Sequence, residues 1–336
     1  MTFYQSLTKK RLTFLTILAL SLVIFAFFDL TVGYYDLNFR QFLPWIHDEL
    51  GTLDTMILYK LRLPKTLTCI AVGSCLGVSG YCIQNILKNP IANPFTLGIS
   101  SAASCGAALS ILTGFPFLLP YLNVQVSAIL FSLLCTYLML FGLIKRQMDA
   151  RLMILFGVTL NFFFLACQSL LQYAANEKQA QQIIQWTFGS LEKSSWTSVV
   201  VIFSTFVLFF LLLSTKAWDL NLLALSDDRA QAMGLNINRS RRFFFLCSSI
   251  LTSVAISYVG TIGFIGLLAP HLARFLLGND SRFCLLGSSL SGALILLFAS
   301  VLSKTILPGG LLPIGIITNI LGVPFMALIV FGRKIS

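Results

Sequence analysis

The chain has 336 residues, 57% of them hydrophobic and only 10% charged, with a mean hydropathy of +0.87; soluble domains carry about 25% charge, so water is not the solvent for most of this surface. Its formal charge of +11 is dispersed over breaks between apolar runs, which excludes a concentrated nucleic-acid-binding face. Runs such as residues 199–214 (VVVIFSTFVLFFLLLS) are apolar on every side rather than alternating, which excludes a β-barrel and leaves lipid-embedded helices.

A hydrocarbon core needs about 20 apolar residues per helical crossing. In chain order, the apolar runs predict spans near 12–30, 64–86, 95–113, 121–144, 152–173, 196–215, 242–259, 262–277, 283–303 and 314–332. The predicted class is therefore an all-α polytopic membrane protein of about ten transmembrane helices in one bundle, a single unit over residues 1–336. The first run follows Lys9, Lys10 and Arg11, as a secretory signal would. It is long, however, and ends in Phe-Phe-Asp rather than small residues, so it reads as an uncleaved span.

With a cytoplasmic N-terminus, sixteen basic and five acidic residues fall inside, against seven of each outside. That asymmetry is the positive-inside bias, and it predicts a multi-pass bacterial inner-membrane protein with both termini cytoplasmic. Two loops are long enough to do more than connect. The outer one, residues 29–60, carries Trp45 and several tyrosines suited to the membrane interface. The inner one, residues 218–242, has Ser226 as a helix N-cap, Asp227 and Asp228 in the first turn and Gly234 as a stop.

Nucleotide and ion chemistry are missing from the sequence. No GxxxxGK[ST] phosphate loop occurs, so any ATP-driven work must come from another chain. All twelve acidic residues and both histidines fall at span ends or in loops, which argues against a secondary transporter, here an exporter of hydrophobic compounds. No nucleophile with its base and no metal-ligand cluster stands out, and His271 beside Pro270 reads as structural. The eight cysteines include no CxxC pair and read as small apolar fillers. No catalytic residue, metal site or cofactor is expected. What remains is a conduit that needs an external motor.

Six strings, in order from residue 61, carry a family resemblance: LRLPKTL, GVSGYCIQNILKNPIANPFTLGISSAA, WTFGSL, LNLLALSDDRAQAMGLN, GTIGFIGLLAPHLARFLLGND and LPIGIITNILGVPF. The chain resembles the FecCD-type permease subunits of bacterial ABC importers for iron-siderophores, haem or vitamin B12. The resemblance implies the type II importer architecture: ten helices per subunit, a second permease copy or paralogue, two cytoplasmic ATP-binding subunits and a periplasmic substrate-binding protein. It implies transport of an iron-siderophore complex, with haem or cobalamin as the alternative. Three positions depart from the family pattern: Leu311 where Glu precedes the LP pair, Ser281 in GNDSR, and Ser300 four residues before Lys304.

Candidate functional residues follow. Arg62, Lys65 and Lys304 sit at outer span ends, where the resemblance implies docking of acidic residues of the binding protein; the alternative is snorkelling to lipid headgroups. Asn89, Pro90 and Ile91 break the chain after the second span and are the predicted cytoplasmic gate, unless they form a simple turn. Leu222, Leu223, Leu225, Asp227, Asp228, Arg229, Met233 and Gly234 make up the predicted ATPase-coupling segment. The small residues Gly73, Gly77, Ser79 and Gly80, and Gly98 with residues 100–103, read as helix-packing positions.

Overall fold

The computed structural model describes residues 3–33, 56–114, 123–145, 149–306 and 312–332. Every regular element among them is helical. In chain order these are α1 (Phe3–Thr31), a π-helical turn (Ile57–Arg62) running into α2 (Leu63–Ile86), α3 (Ile99–Thr113), α4 (Asn123–Lys145), α5 (Ala150–Ala174), α6 (Glu177–Phe188), α7 (Trp196–Thr215), α8 (Ala217–Leu223), α9 (Asp227–Ala232), α10 (Ile237–Val259), α11 (Ile265–Leu277), α12 (Ser281–Thr305) and α13 (Ile314–Gly332). Trp45 and Leu311 lie outside the described residues.

Seven helices are long and apolar enough to cross a membrane, and α3, α11 and α13 supply three shorter apolar ones. The ten predicted spans correspond to these ten helices. The eighth is corrected in kind. With 13 residues, α11 is about 20 Å long, short of a hydrocarbon core about 30 Å thick. Non-helical backbone at such depth must be buried in protein. Residues 260–262 are buried, Thr261 donates its hydroxyl to the Thr187 carbonyl, and just before them Ser190 N donates to Val259 O at 2.7 Å.

α2 is the axis of the bundle, with α10, α11 and α12 packed around it. Its lack of bulk explains the position. A methyl group on Gly73, Gly77 or Gly80 would strike the backbone of Gly292, Ser288 or Gly266, so α2 crosses α12 and α11 at backbone contact. Without a hydrophobic force between helices in lipid, such close approach is what holds them together. α1 and α7 instead turn most of their surface outward, as lipid-facing helices do.

The sequence reading missed one element, the amphipathic helix α6. Its signal was present: Asn176 accepts from Gln179 N while the Gln179 side chain accepts from Asn176 N, a capping box. Gln179 also donates to the Ile111 and Leu112 carbonyls and so seats α6 on the end of α3.

Candidate functional site

The candidate residues occupy the two ends of the bundle. At one end, Asp29 in the last turn of α1 is fully buried and accepts from Thr66 Oγ1 at 2.6 Å, Ser300 Oγ at 2.7 Å and Lys304 Nζ at 2.6 Å. Lys304 also donates to the Asp29 carbonyl at 2.8 Å. One carboxylate thus ties α1, α2 and α12 together, and every charge and hydroxyl in the group is satisfied, as burial demands. Lys304, expected at an outer span end as a docking residue, has a side chain that is only 9% exposed and faces Asp29. The Ser300 departure also gains a physical account. With α1 supplying the acid, the hydroxyl at position 300 acts as a donor to it.

Arg62 beside this cluster donates to the Leu30 and Thr31 carbonyls at 2.6 and 2.9 Å, capping the last turn of α1. Lys65 lines a cavity of about 260 Å³ together with Trp186, Glu192, Lys193, Tyr258 and Lys304. Two of the three predicted cations, Lys65 and Lys304, therefore line one cavity, Lys304 with its ammonium bonded to Asp29.

At the opposite end the chain leaves α2 through two asparagine-based turns. Asn89 Oδ1 accepts from Ile91 N at 3.0 Å, and Asn93 Oδ1 accepts from Thr96 N at 2.8 Å. These are the local side-chain bonds by which Asn competes with helix, and Pro90 and Pro94 prevent the helix from resuming. Ile91 is half exposed. The residue before the turn, Lys88, has a left-handed backbone with φ 49°.

The predicted coupling segment folds as α8 and α9. Gly234 has φ 84°, its N–H bonds Gln231 O at 2.8 Å, and Leu235 N bonds Ala230 O at 3.1 Å. That pair of bonds is the glycine-dependent helix stop expected there. Ser226 stands at the N-cap of α9 but makes no side-chain cap bond. Leu222 and Leu223 are buried in the chain's own core, at 8% and 1% exposure, so the expectation that they meet a partner is corrected. α8 buries one face against α12 and α2, and both leucines fall on it. Leu225, Asp228, Arg229 and Met233 remain on the outer surface.

Asp227 is not on that outer set. Its carboxylate accepts from Lys88 Nζ at 2.6 Å and from Arg241 Nη2 at 3.0 and 3.1 Å. Partial burial opposes its ionisation, but the Lys88 hydrogen bond and the Arg241 charge outweigh this and hold the carboxyl below its ordinary range. Asp280, the N-cap of α12, is a second acidic hub, with Arg282 at 2.7 Å, Arg11 at 3.2 Å and Asn221 of α8 at 3.3 Å. The hydrogen bond from Arg282 holds its carboxyl low against the effect of burial. The Ser281 departure is filled as well: buried Ser281 pairs with the Tyr81 hydroxyl at 2.9 Å, and its N–H donates to Asn221 Oδ1 at 2.8 Å.

Residues 21–332 match the FecCD transport family. The chain belongs to that family. The hemin transport system permease protein HmuU of Yersinia pestis is 35% identical over 331 residues, which cover 97% of this chain and 96% of that one. A probable iron chelatin transport system permease protein of Helicobacter pylori is 35% identical over 288 residues, 86% of each chain. Further relatives are named for vitamin B12 and for molybdate import. Among solved structures, a metal-chelate type ABC transporter in an inward-facing conformation superposes with a TM-score of 0.86 at 30% identity, over 95% of this chain and 99% of that one.

This FecCD chain is therefore a multi-pass ABC importer permease of the metal-chelate type. Membership implies ATP-binding subunits and a substrate-binding protein as partners. Two features of the FecCD permease escaped sequence reasoning. Asp29 looked like a span end, although the four-residue spacing of Ser300 and Lys304 puts both on one helix face that needs an acceptor. Lys88 was counted among inner charges, and only its reach across the fold to Asp227 gives it a specific place.

Proposed function

We propose that the whole chain acts as one transmembrane unit, paired with a second permease copy or paralogue, and moves an iron chelate from periplasm to cytoplasm. The cargo is a ferric siderophore, with haem as the nearest alternative; relatives named for hemin and iron chelatin support the iron class. Both termini and the segment with α8 and α9 face the cytoplasm, in line with the positive-inside distribution of charge. Two ATP-binding subunits grip the exposed face of Leu225, Asp228, Arg229 and Met233, and hydrolysis takes place on them. At the periplasmic end, Arg62 and Lys65 receive acidic residues of the binding protein, the latter through its cavity. Asn89, Pro90 and Ile91 form the cytoplasmic gate.

The observation that carries this reading is the juxtaposition at one end of the bundle: the segment with α8 and α9, which has an exposed face, is bonded through Leu225 and Asp227 to Lys88 at the end of the central helix. The decisive experiment purifies the tagged permease from its native membrane and reconstitutes the complex in proteoliposomes. Copurification of an ATPase and ATP-dependent uptake of radioactive iron as a siderophore complex support the proposal. Uptake of hemin or cyanocobalamin instead corrects the cargo, while uptake driven by a proton gradient without ATP refutes the mechanism. For orientation, single cysteines placed in residues 218–242 are expected to resist impermeant thiol reagents in intact spheroplasts.

A further inference from the structure

We infer that Lys88 is a positioning residue that transmits movement of α9 to the Asn89–Asn93 turn, acting through Asp227. The inference rests on the proposed reading of α8 and α9 as the ATPase contact.

Three observations point the same way. First, Lys88 adjoins the turn: it follows the C-cap of α2, adopts φ 49° as a non-glycine residue, and directly precedes Asn89. This is the helix stop of α2, with Lys88 N bonded to Asn85 O at 3.3 Å and Asn89 N to Gln84 O at 3.1 Å, so the turn begins at Lys88. Second, the Lys88 side chain is held by α9 and the residues just before it. Lys88 Nζ donates to the Leu225 carbonyl and, at 2.6 Å, to Asp227 Oδ1, joining positions 139 residues apart in the chain. Third, Asp227 is held from behind by Arg241 on α10, whose side chain is 7% exposed and bonds both carboxylate oxygens.

The result is a three-point linkage of different stiffness. Arg241 is set in the bundle, whereas the Lys88 and Asp227 side chains are 30% and 46% exposed. A displacement of α9 pulls on the contact from Asp227 to Lys88, and because Lys88 directly precedes Asn89 the pull is delivered to the turn beyond it. Asp228, Arg229 and Met233 are exposed and so leave a face of this segment on which a partner can press. A plain structural staple would join the same groups, so the test must separate holding from transmission.

The assembled complex of permease, ATP-binding subunits and binding protein, in proteoliposomes, supplies that test. Phe95 is exposed beyond the turn, whereas seven of the eight native cysteines are buried and the eighth, Cys167, is half-buried. An F95C, C167S background therefore reports movement of the turn through its maleimide labelling rate with and without ATP and vanadate. Lys88→Met is expected to assemble and hydrolyse ATP as the background does, but to lose about tenfold in uptake, a typical coupling magnitude, together with the ATP-dependent change in labelling. Lys88→Arg should restore most of both. Lys88→Met combined with Asp227→Asn should be no worse than the more severe single variant.

Background-like uptake and labelling in Lys88→Met overturn the inference while leaving the importer reading intact, provided the background itself is ATP-coupled. Parallel loss of assembly, hydrolysis and uptake without rescue by Lys88→Arg also overturns it, since Lys88 would then be a staple. Uptake by the background without ATP refutes the underlying reading and the inference with it.

Discussion

The two ends of the bundle use the same chemistry, a carboxylate shared between helices, in opposite surroundings. Asp29 and Lys304 are almost wholly shielded, and two hydroxyls complete the carboxylate's shell. Asp227, at the other end, shares its charge between a nearly buried Arg241 and a Lys88 that water still reaches. A shielded pair is costly to open, because each separated charge would lie uncompensated in apolar surroundings. A pair near water can open and close, since solvent replaces the lost partner. The first arrangement suits a fixed joint and the second a movable one.

The largest expected effect comes from breaking the fixed joint. Lys304→Met leaves Asp29 charged and buried, and should lower stability by about 3–5 kcal/mol, measured by thermal unfolding in detergent. Adding Asp29→Leu removes the stranded charge and should recover most of the loss. If the two changes are instead simply additive, the pair is not the joint described. Leu223→Ala is next in size. Because that leucine packs inside the chain, the substitution should cost about 2–5 kcal/mol with or without any partner present. A loss seen only in the assembled complex would restore Leu223 to the interface.

The rod between the ends can be tested at Gly77, where α2 meets the backbone of Ser288. Gly77→Val should force α2 and α12 apart and lower the melting temperature, at about 1–3 kcal/mol for overpacking, while Gly234→Ala, far from any neighbour but at φ 84°, should affect only the end of α9.

The smallest stability effect is expected at the movable joint. Asp227→Asn should change global stability by no more than about 1 kcal/mol. Its signature is in pH. Because its folded carboxyl titrates below the ordinary value, Asp227 contributes stability that is present above that value and is lost as pH falls through the folded one. Unfolding curves of wild type and Asp227→Asn should therefore diverge above the ordinary carboxylate range and converge below it. Parallel curves throughout would mean that Lys88 and Arg241 do not stabilise the charged form.

Most of the architecture was legible in one dimension. Apolar run length is a property of contiguous residues, so the ten helices, the stop at Gly234 and the Asn-Pro breaks could be read from local spacing. The helix α6 was also written locally, in the Asn176 and Gln179 capping box, but its weak apolar character hid it among the loops. Residues 260–264 show the limit of run length: an apolar stretch can be non-helical backbone where neighbouring elements pack against it, and composition does not distinguish the two. The pairings at the ends were beyond local reading altogether. Which carboxylate meets Lys304 is decided by α1 and α12 lying side by side, 275 residues apart in the chain, and whether Leu223 or Met233 faces outward depends on which side of α8 and α9 the core covers. Helix formation follows from bonds within a segment, whereas partners and exposed faces follow from close packing between segments, and only the tertiary structure settles those.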